Sequence, residues 1–178
     1  MKKLLVVVDY QNDFVDGSLG FPGAKNIEGF IVDKIEEYTK GGHDLFFTLD
    51  THGENYMSTQ EGRKLPVPHC ILGTDGHHLY GEVRELEKQL CGSRYYVINK
   101  NAFPSLELGK LIENKGYEVI EFVGLVSFIC VLSNAIIAKA AAPEAEIIVN
   151  RKGTAGYDDK LHEDCLNLMD KALQITVE

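Results

Sequence analysis

The sequence predicts an α/β fold, a three-layer α/β/α sandwich around a mostly parallel sheet of about six strands, Rossmann-like in its layering. Three observations carry that expectation. Short runs rich in Val, Ile, Leu and Phe, continuous rather than alternating, read as strands buried on both faces. Segments with helical spacing separate them, as the crossovers between parallel strands require. Apolar content of 44% and charged content of 25% are ordinary for a globular chain, and 178 residues suffice for a single domain, 1–178, with its own core.

Leu4 to Asp9 is the first strand. Its apolar run, Leu4 to Val8, is too short for the core of a signal peptide, so a cytoplasmic protein is expected. After a loop holding Gly17, Gly20, Pro22 and Gly23, Asn26 is placed to cap a helix with Ile27, Phe30, Ile31, Ile35 and Tyr38 on one face. Gly41 and Gly42 end that helix, and Asp44 to Leu49 is the second strand. Residues 50–92 hold scattered Gly and Pro and only a short helical stretch, Glu82 to Leu90. An insertion of that length in a compact domain points to function.

Tyr95 to Ile98 is the third strand, a short helix around Leu106, Leu111 and Ile112 follows, and Val119 to Val123 is the fourth. The chain turns at Gly124 into a helix whose first turn holds Cys130. The rest of that helix, including Ala135, Ile136, Ile137 and Ala138, is apolar nearly all round, so the fold or a second subunit must cover it, and a homo-oligomer is expected. Ile147 to Val149 is the fifth strand. Leu161, Cys165, Leu168 and Met169 line a last helix, and Leu173 to Val177 forms a final strand.

A formal charge of −9 with no basic cluster argues against nucleic acid or an anionic membrane as partner and leaves a small or neutral one. Cys70, Cys91, Cys130 and Cys165 show no CxxC pair and no scaffold density, which fits free thiols.

In a parallel sheet, ligands collect at the carboxyl ends of the strands. Asp9, Asp50, Lys100 and the segment leading to Cys130 fall there; Cys91 and Cys165 do not. A cysteine at a helix start is favoured as thiolate, although a small buried hydrophobe is the competing reading of Cys130. Asp9 and Lys100 singly read as strand-end charges. With Cys130 they make an acid, lysine and cysteine set converging from three strands. Asp50, His52 and His69, the last in PVPHC, offer one oxygen and two imidazoles, suited to zinc, manganese or iron with positions left open; solvated loop histidines are the competing reading. Glu61 and Cys70 are further possible donors. His43, His77, His78 and His162 read as surface residues.

The runs VVVDYQNDF at 6–14, TLDTHGENY at 48–56, PHCILGTDG at 68–76, Lys100, and GLVSFICV at 124–131 resemble, in order over nearly the whole chain, the isochorismatase-like cysteine hydrolases and their nicotinamidase branch. The resemblance implies a catalytic triad of Asp9, Lys100 and Cys130. It also implies a divalent metal, usually Zn2+ with Mn2+ or Fe2+ as alternatives, on Asp50, His52 and His69, with Glu61 where some bacterial nicotinamidases supply another carboxylate. A cis peptide is implied at Leu125–Val126, with the backbone N–H groups of Val126 and Cys130 as oxyanion donors. The implied reaction is hydrolysis of a small neutral amide, nicotinamide to nicotinate and ammonia, through a thioester on Cys130, with the metal anchoring the pyridine nitrogen. Thr51 and Pro66 stand where the branch commonly has aromatics, and Phe128 where it often has an acid. Phe14, Phe103, Tyr56 and Phe128 are the candidates to wall a substrate ring, although each could equally turn into the core. A related amidase acting on another small amide or carbamoyl compound, and a non-catalytic metal-containing binding domain with an inert Cys130, are the competing functions.

Overall fold

The computed structural model describes residues 1–178. Its six strands are β1 (Lys3–Val8), β2 (Asp44–Asp50), β3 (Tyr95–Lys100), β4 (Val119–Leu125), β5 (Glu146–Ala155) and β6 (Thr176–Val177). They form one all-parallel sheet in the order β3-β2-β1-β4-β5-β6. Its helices are α1 (Asn12–Val15), α2 (Glu28–Lys40), α3 (Gln60–Lys64), α4 (Gly81–Gln89), α5 (Leu106–Ile112), α6 (Leu132–Ala141) and α7 (Asp159–Ala172).

β1 lies in the middle of the sheet, and its side chains alternate between two cores. Leu4, Val6 and Val8 join the core that includes α5, α6 and α7; Leu5 and Val7 join the one that includes α2 and α4. Burial on both faces is why the run is continuously apolar. α2 buries Ile31, Val32, Ile35 and Tyr38, a stripe at helical spacing, and Gly42 follows it at φ +68.

Four expectations change. Asn26 does not cap α2: it lies in a 3-10 turn, Ala24–Ile27, and Ile27 occupies the cap position without a side-chain bond. β5 runs on to Ala155, because its pairing with β4 slips between Phe122 and Gly124 and then resumes at Thr154. β6 is only two residues, since Leu173 to Ile175 fold back onto the end of α7. The helical stretch after Gly124 is split: a turn of π-helix, Ser127–Val131, precedes α6, so Cys130 is not in the first α-helical turn. α6 buries Asn134, Ala135 and Ala138, whereas Ile136 stays 45% exposed on the single chain. No helix is long and apolar enough to cross a membrane.

The register puts the functional edge in one place. Asp50 pairs with Lys100 and Val8 with Gly124, so Asp9, Asp50, Lys100 and Leu125 end their strands side by side.

Candidate active site

Asp9 is fully buried just past β1, with φ +45, a region non-glycine residues seldom occupy. Its N–H donates to Thr48 O, and its Oδ1 accepts from Thr48 Oγ1 at 2.7 Å. Oδ2 makes no well-angled hydrogen bond but lies 2.6 Å from Lys100 Nζ. The same ammonium is 3.5 Å from Asp50 Oδ1, donates to Ala102 O and stands 3.7 Å from Cys130 Sγ. Asp9, Lys100 and Cys130, spread over the sequence, thus converge.

The electrostatics correct one expectation. Burial, with the charge of Asp9 adding to it and Lys100 opposing, pushes the Cys130 thiol well above its ordinary range. Desolvation therefore outweighs the benefit expected of a helix start. Burial also raises Asp9, against the lowering charge of Lys100. Burial works against a charged Lys100, but the negative charges of Asp9, Cys130 and Asp50 hold it firmly as an ammonium. One proton is therefore contested between a thiol and a carboxylate beside a fixed positive charge.

The turn carrying Cys130 follows the cis peptide Leu125–Val126, where the resemblance put it. Val126 O accepts from both Ile129 N–H and Val131 N–H, which closes the turn, while Val126 N–H meets no acceptor in the protein. Asn134, which sequence reading passed over as one polar residue in an apolar helix, ties this turn to the loop after β3. Its Nδ2 donates to Cys130 O and Phe103 O, and its Oδ1 accepts from Ser105 N–H.

Beyond Lys100 stand Asp50, His52, Glu61 and His69, each offering one donor atom, all within 4.8 Å of one another. His52 Nε2 is 2.9 Å and His69 Nε2 3.3 Å from Asp50 Oδ2; Glu61 Oε1 lies 3.8 and 3.7 Å from the same two nitrogens. His69 Nδ1 sits 2.8 Å from Val67 O, so a proton held there leaves Nε2 facing the cluster as a donor. Two carboxylates beside two imidazoles make an oxygen and nitrogen donor set that a divalent cation would balance, and a buried carboxylate such as Asp50 calls for such a partner. The donor set fits the expected metal. Burial tends to raise Asp50, yet bonds from His52 and His69 and the charge of Lys100 hold it well below the usual carboxylate range.

Cys70 is not part of this cluster. Its sulfur turns toward Gly76 O, its N–H donates to Asp13 Oδ2, and burial pushes the thiol up. Gln11 braces the site from below: its Nε2 donates to Asp50 O and His77 O, and its Oε1 accepts from Asp50 N–H. His77, read as a surface residue, is buried with Nε2 2.8 Å from Thr51 Oγ1. His162, read the same way, is half-buried against Ser127.

A cavity of about 430 Å³ joins the two groups and is lined by Cys130 and Val126 together with Asp50, Glu61 and His69. Phe14 and Phe103 line it. Tyr56 does not: it is buried with its ring against both His52 and His69, and its hydroxyl donates to Leu65 O, so it supports the histidines from behind. Phe128 does not line it either, and packs on Tyr157 at 5.0 Å between centroids and against both cores. Leu19, Phe21, Leu65, Ile129 and Tyr157 complete the apolar wall. Tyr157 was legible only to a reading that carried β5 to Ala155, which would have placed it just past a strand carboxyl end.

The isochorismatase domain model matches residues 3–178. An uncharacterized isochorismatase family protein PncA of Bacillus subtilis is 32% identical over 170 residues, covering 91% of each chain. The crystal structure of nicotinamidase/pyrazinamidase PncA from Bacillus subtilis superposes with a TM-score of 0.90 at 27% identity, over 99% of both chains. The pyrazinamidase of Pyrococcus horikoshii in complex with zinc gives a TM-score of 0.83 at 25% identity, over 100% of this chain and 99% of its own. A domain match running from the first strand to the last residue, with a relative of this identity along nine-tenths of the chain, makes the protein a member of the isochorismatase family.

Proposed function

We propose that this protein is a metal-dependent cysteine amidohydrolase that converts nicotinamide and water to nicotinate and ammonia. The observation that carries the reading is the cavity itself: it is lined both by Cys130, which has Lys100 and Asp9 behind it, and by Asp50, Glu61 and His69 of the four-donor cluster. Phe14, Phe21, Phe103 and Tyr157 give the space between an aromatic lining suited to a flat ring.

In this scheme Asp9 takes the Cys130 proton as the sulfur attacks the amide carbonyl carbon. The charge on the carbonyl oxygen falls to the N–H groups of Val126 and Cys130, donors worth about 3–4 kcal/mol each in comparable sites. Asp9 returns the proton to the departing nitrogen as the C–N bond breaks, leaving a thioester and ammonia. Water then attacks the thioester with Asp9 taking its proton; the C–S bond breaks and the thiol is restored. Lys100 keeps its charge throughout. Asp50, His52 and His69, with Glu61, would hold the divalent cation, Zn2+ before Mn2+ or Fe2+, which supplies a Lewis-acid anchor for a ring nitrogen. Residues 1–178 act as one hydrolase domain in which 50–92 is the metal-site insertion. A cytoplasmic homo-oligomer that engages neither nucleic acid nor membrane accords with the net charge of −9 and the half-exposed Ile136 on α6.

Ammonia release from nicotinamide by the purified protein tests this directly. Cys130→Ala is expected to lose turnover at least about a thousandfold with the thermal transition retained. Full residual turnover in that variant excludes the scheme. One observation favours a second substrate, another small amide or carbamoyl compound: Phe128 turns from the cavity, leaving no acidic side chain in that turn. A panel of small amides decides between them.

A further inference from the structure

Two residues nearly one turn apart on α7 grip Ser127. His162 Nδ1 lies 2.9 Å from Ser127 Oγ, and Cys165 Sγ donates to Ser127 O at 3.6 Å. Ser127 is completely buried, and its hydroxyl has no other partner. It is the residue after Val126 and opens the π-helical turn that ends at Val131. The Val126–Ser127 peptide unit is therefore held at both ends, Val126 O by two N–H groups of the turn and Ser127 by α7, and through the Val126 Cα this fixes the end of the preceding cis unit, Leu125–Val126, that carries the Val126 N–H. Gly156 keeps the space open. A Cβ there would come within 2.4 Å of Phe128 Cε1 and 3.0 Å of Ser127 Oγ.

We infer that His162 is a positioning residue: by holding Ser127 it aims the Val126 N–H at the carbonyl oxygen of the bound amide, and so governs oxyanion stabilisation without taking part in thiol activation. His162 does not line the cavity and makes no hydrogen bond to Cys130 or to the Asp50, His52, Glu61 and His69 cluster. Burial lowers its pKa, so the ring meets the hydroxyl as a neutral partner near pH 7. Half-ångström errors in a preorganised donor are costly because the donor is already paired with its target in the transition state.

This inference rests on Cys130 being the nucleophile, so Cys130→Ala is assayed alongside. The variants are His162→Ala, His162→Asn, Ser127→Ala and the double variant His162→Ala with Ser127→Ala. Each is assayed for kcat and KM with nicotinamide, and for the rate of Cys130 alkylation by iodoacetamide. His162→Ala is expected to lower kcat about tenfold or more with KM within about twofold and the alkylation rate unchanged. Ser127→Ala should do the same, the double variant no more than either alone, and His162→Asn should restore part of the loss because its amide stands near the Nδ1 position. A wild-type kcat in His162→Ala, additive losses in the double variant, or a parallel fall in kcat and alkylation overturns the assignment. If Cys130→Ala keeps turnover, it is the catalytic reading that fails; if that variant is dead and His162→Ala is normal, only the positioning role falls.

Discussion

The ammonium of Lys100 lies 2.6 Å from Asp9 Oδ2 and 3.5 Å from Asp50 Oδ1, so one buried cation links the carboxylate beside Cys130 to the cluster of Asp50, His52, Glu61 and His69. Replacing it with Met would leave two buried carboxylates facing an apolar chain. Breaking a buried pair in this way costs about 3–5 kcal/mol, more than the pair contributes when intact. Lys100→Met is therefore expected to lower urea stability by about that amount, and adding Asp9→Asn should recover at least about 1 kcal/mol of it. Additive losses in the double variant would show that the two groups are not coupled.

Glu61 is the most exposed of the four residues proposed to hold the metal, and it sits on a helix of only five residues, α3. Its oxygen also lies farther from the two imidazole nitrogens than Asp50 Oδ2 does. Glu61→Gln keeps the shape and removes the charge. Metal affinity, read by chelator competition on the folded protein, is expected to weaken about 10- to 100-fold, with the thermal transition of the metal-free protein unmoved. An unchanged affinity would remove Glu61 from the ligand set.

How much of this was legible depended on whether a residue's role followed from where its strand stopped. Asp9, Asp50 and Lys100 were found because a charge closing an apolar run has no cheap place to go except a shared edge. Tyr56 and Phe128 stayed undecided between pocket and core because an aromatic in a loop carries no sign of which way its ring turns, and only packing on His52 and His69, or on Tyr157, decides it. His77 and His162 looked like surface residues since their partners, Thr51 and Ser127, are 26 and 35 positions away. The thiol's pKa direction was missed for a related reason: a helix start is visible in sequence, but the desolvation that outweighs it is not.

Gly124 has φ +114, and a Cβ there would lie 2.0 Å from Val8 O. It pairs with Val8 in the middle of the sheet, where neither strand can move aside. Gly124→Ala is expected to cost about 3–5 kcal/mol, from forbidden backbone and overpacking together. Gly29 in α2, with nothing within 4 Å of its Cβ position, is the control: Gly29→Ala should stabilise by about 0.5–1 kcal/mol. Denaturant midpoints of the two variants shifting in the same direction would contradict the geometry.

Away from the site, Glu121 in β4 is buried and accepts from Tyr38 Oη at 2.8 Å and Asn150 Nδ2 at 3.3 Å, with Lys34 Nζ 3.1 Å from its other side. Partial burial works against a charged Lys34, but the charge and hydrogen bond of Glu121 outweigh it and raise the Lys34 pKa above 10.5. A cation whose pKa rises on folding contributes its stability fully below the unfolded value and loses it as pH climbs through the folded one. Lys34→Met is therefore expected to lower stability by about 1–3 kcal/mol at pH 7 to 9, through loss of a charged hydrogen bond to a buried acid. The gap between wild type and variant should narrow only above about pH 10.5, where Lys34 of the unfolded chain begins to lose its proton while the folded protein still holds it. Urea midpoints of both proteins across pH 7 to 11 check the sign, and a gap that is constant over that range would mean the contribution is packing of the Lys34 stem rather than its charge.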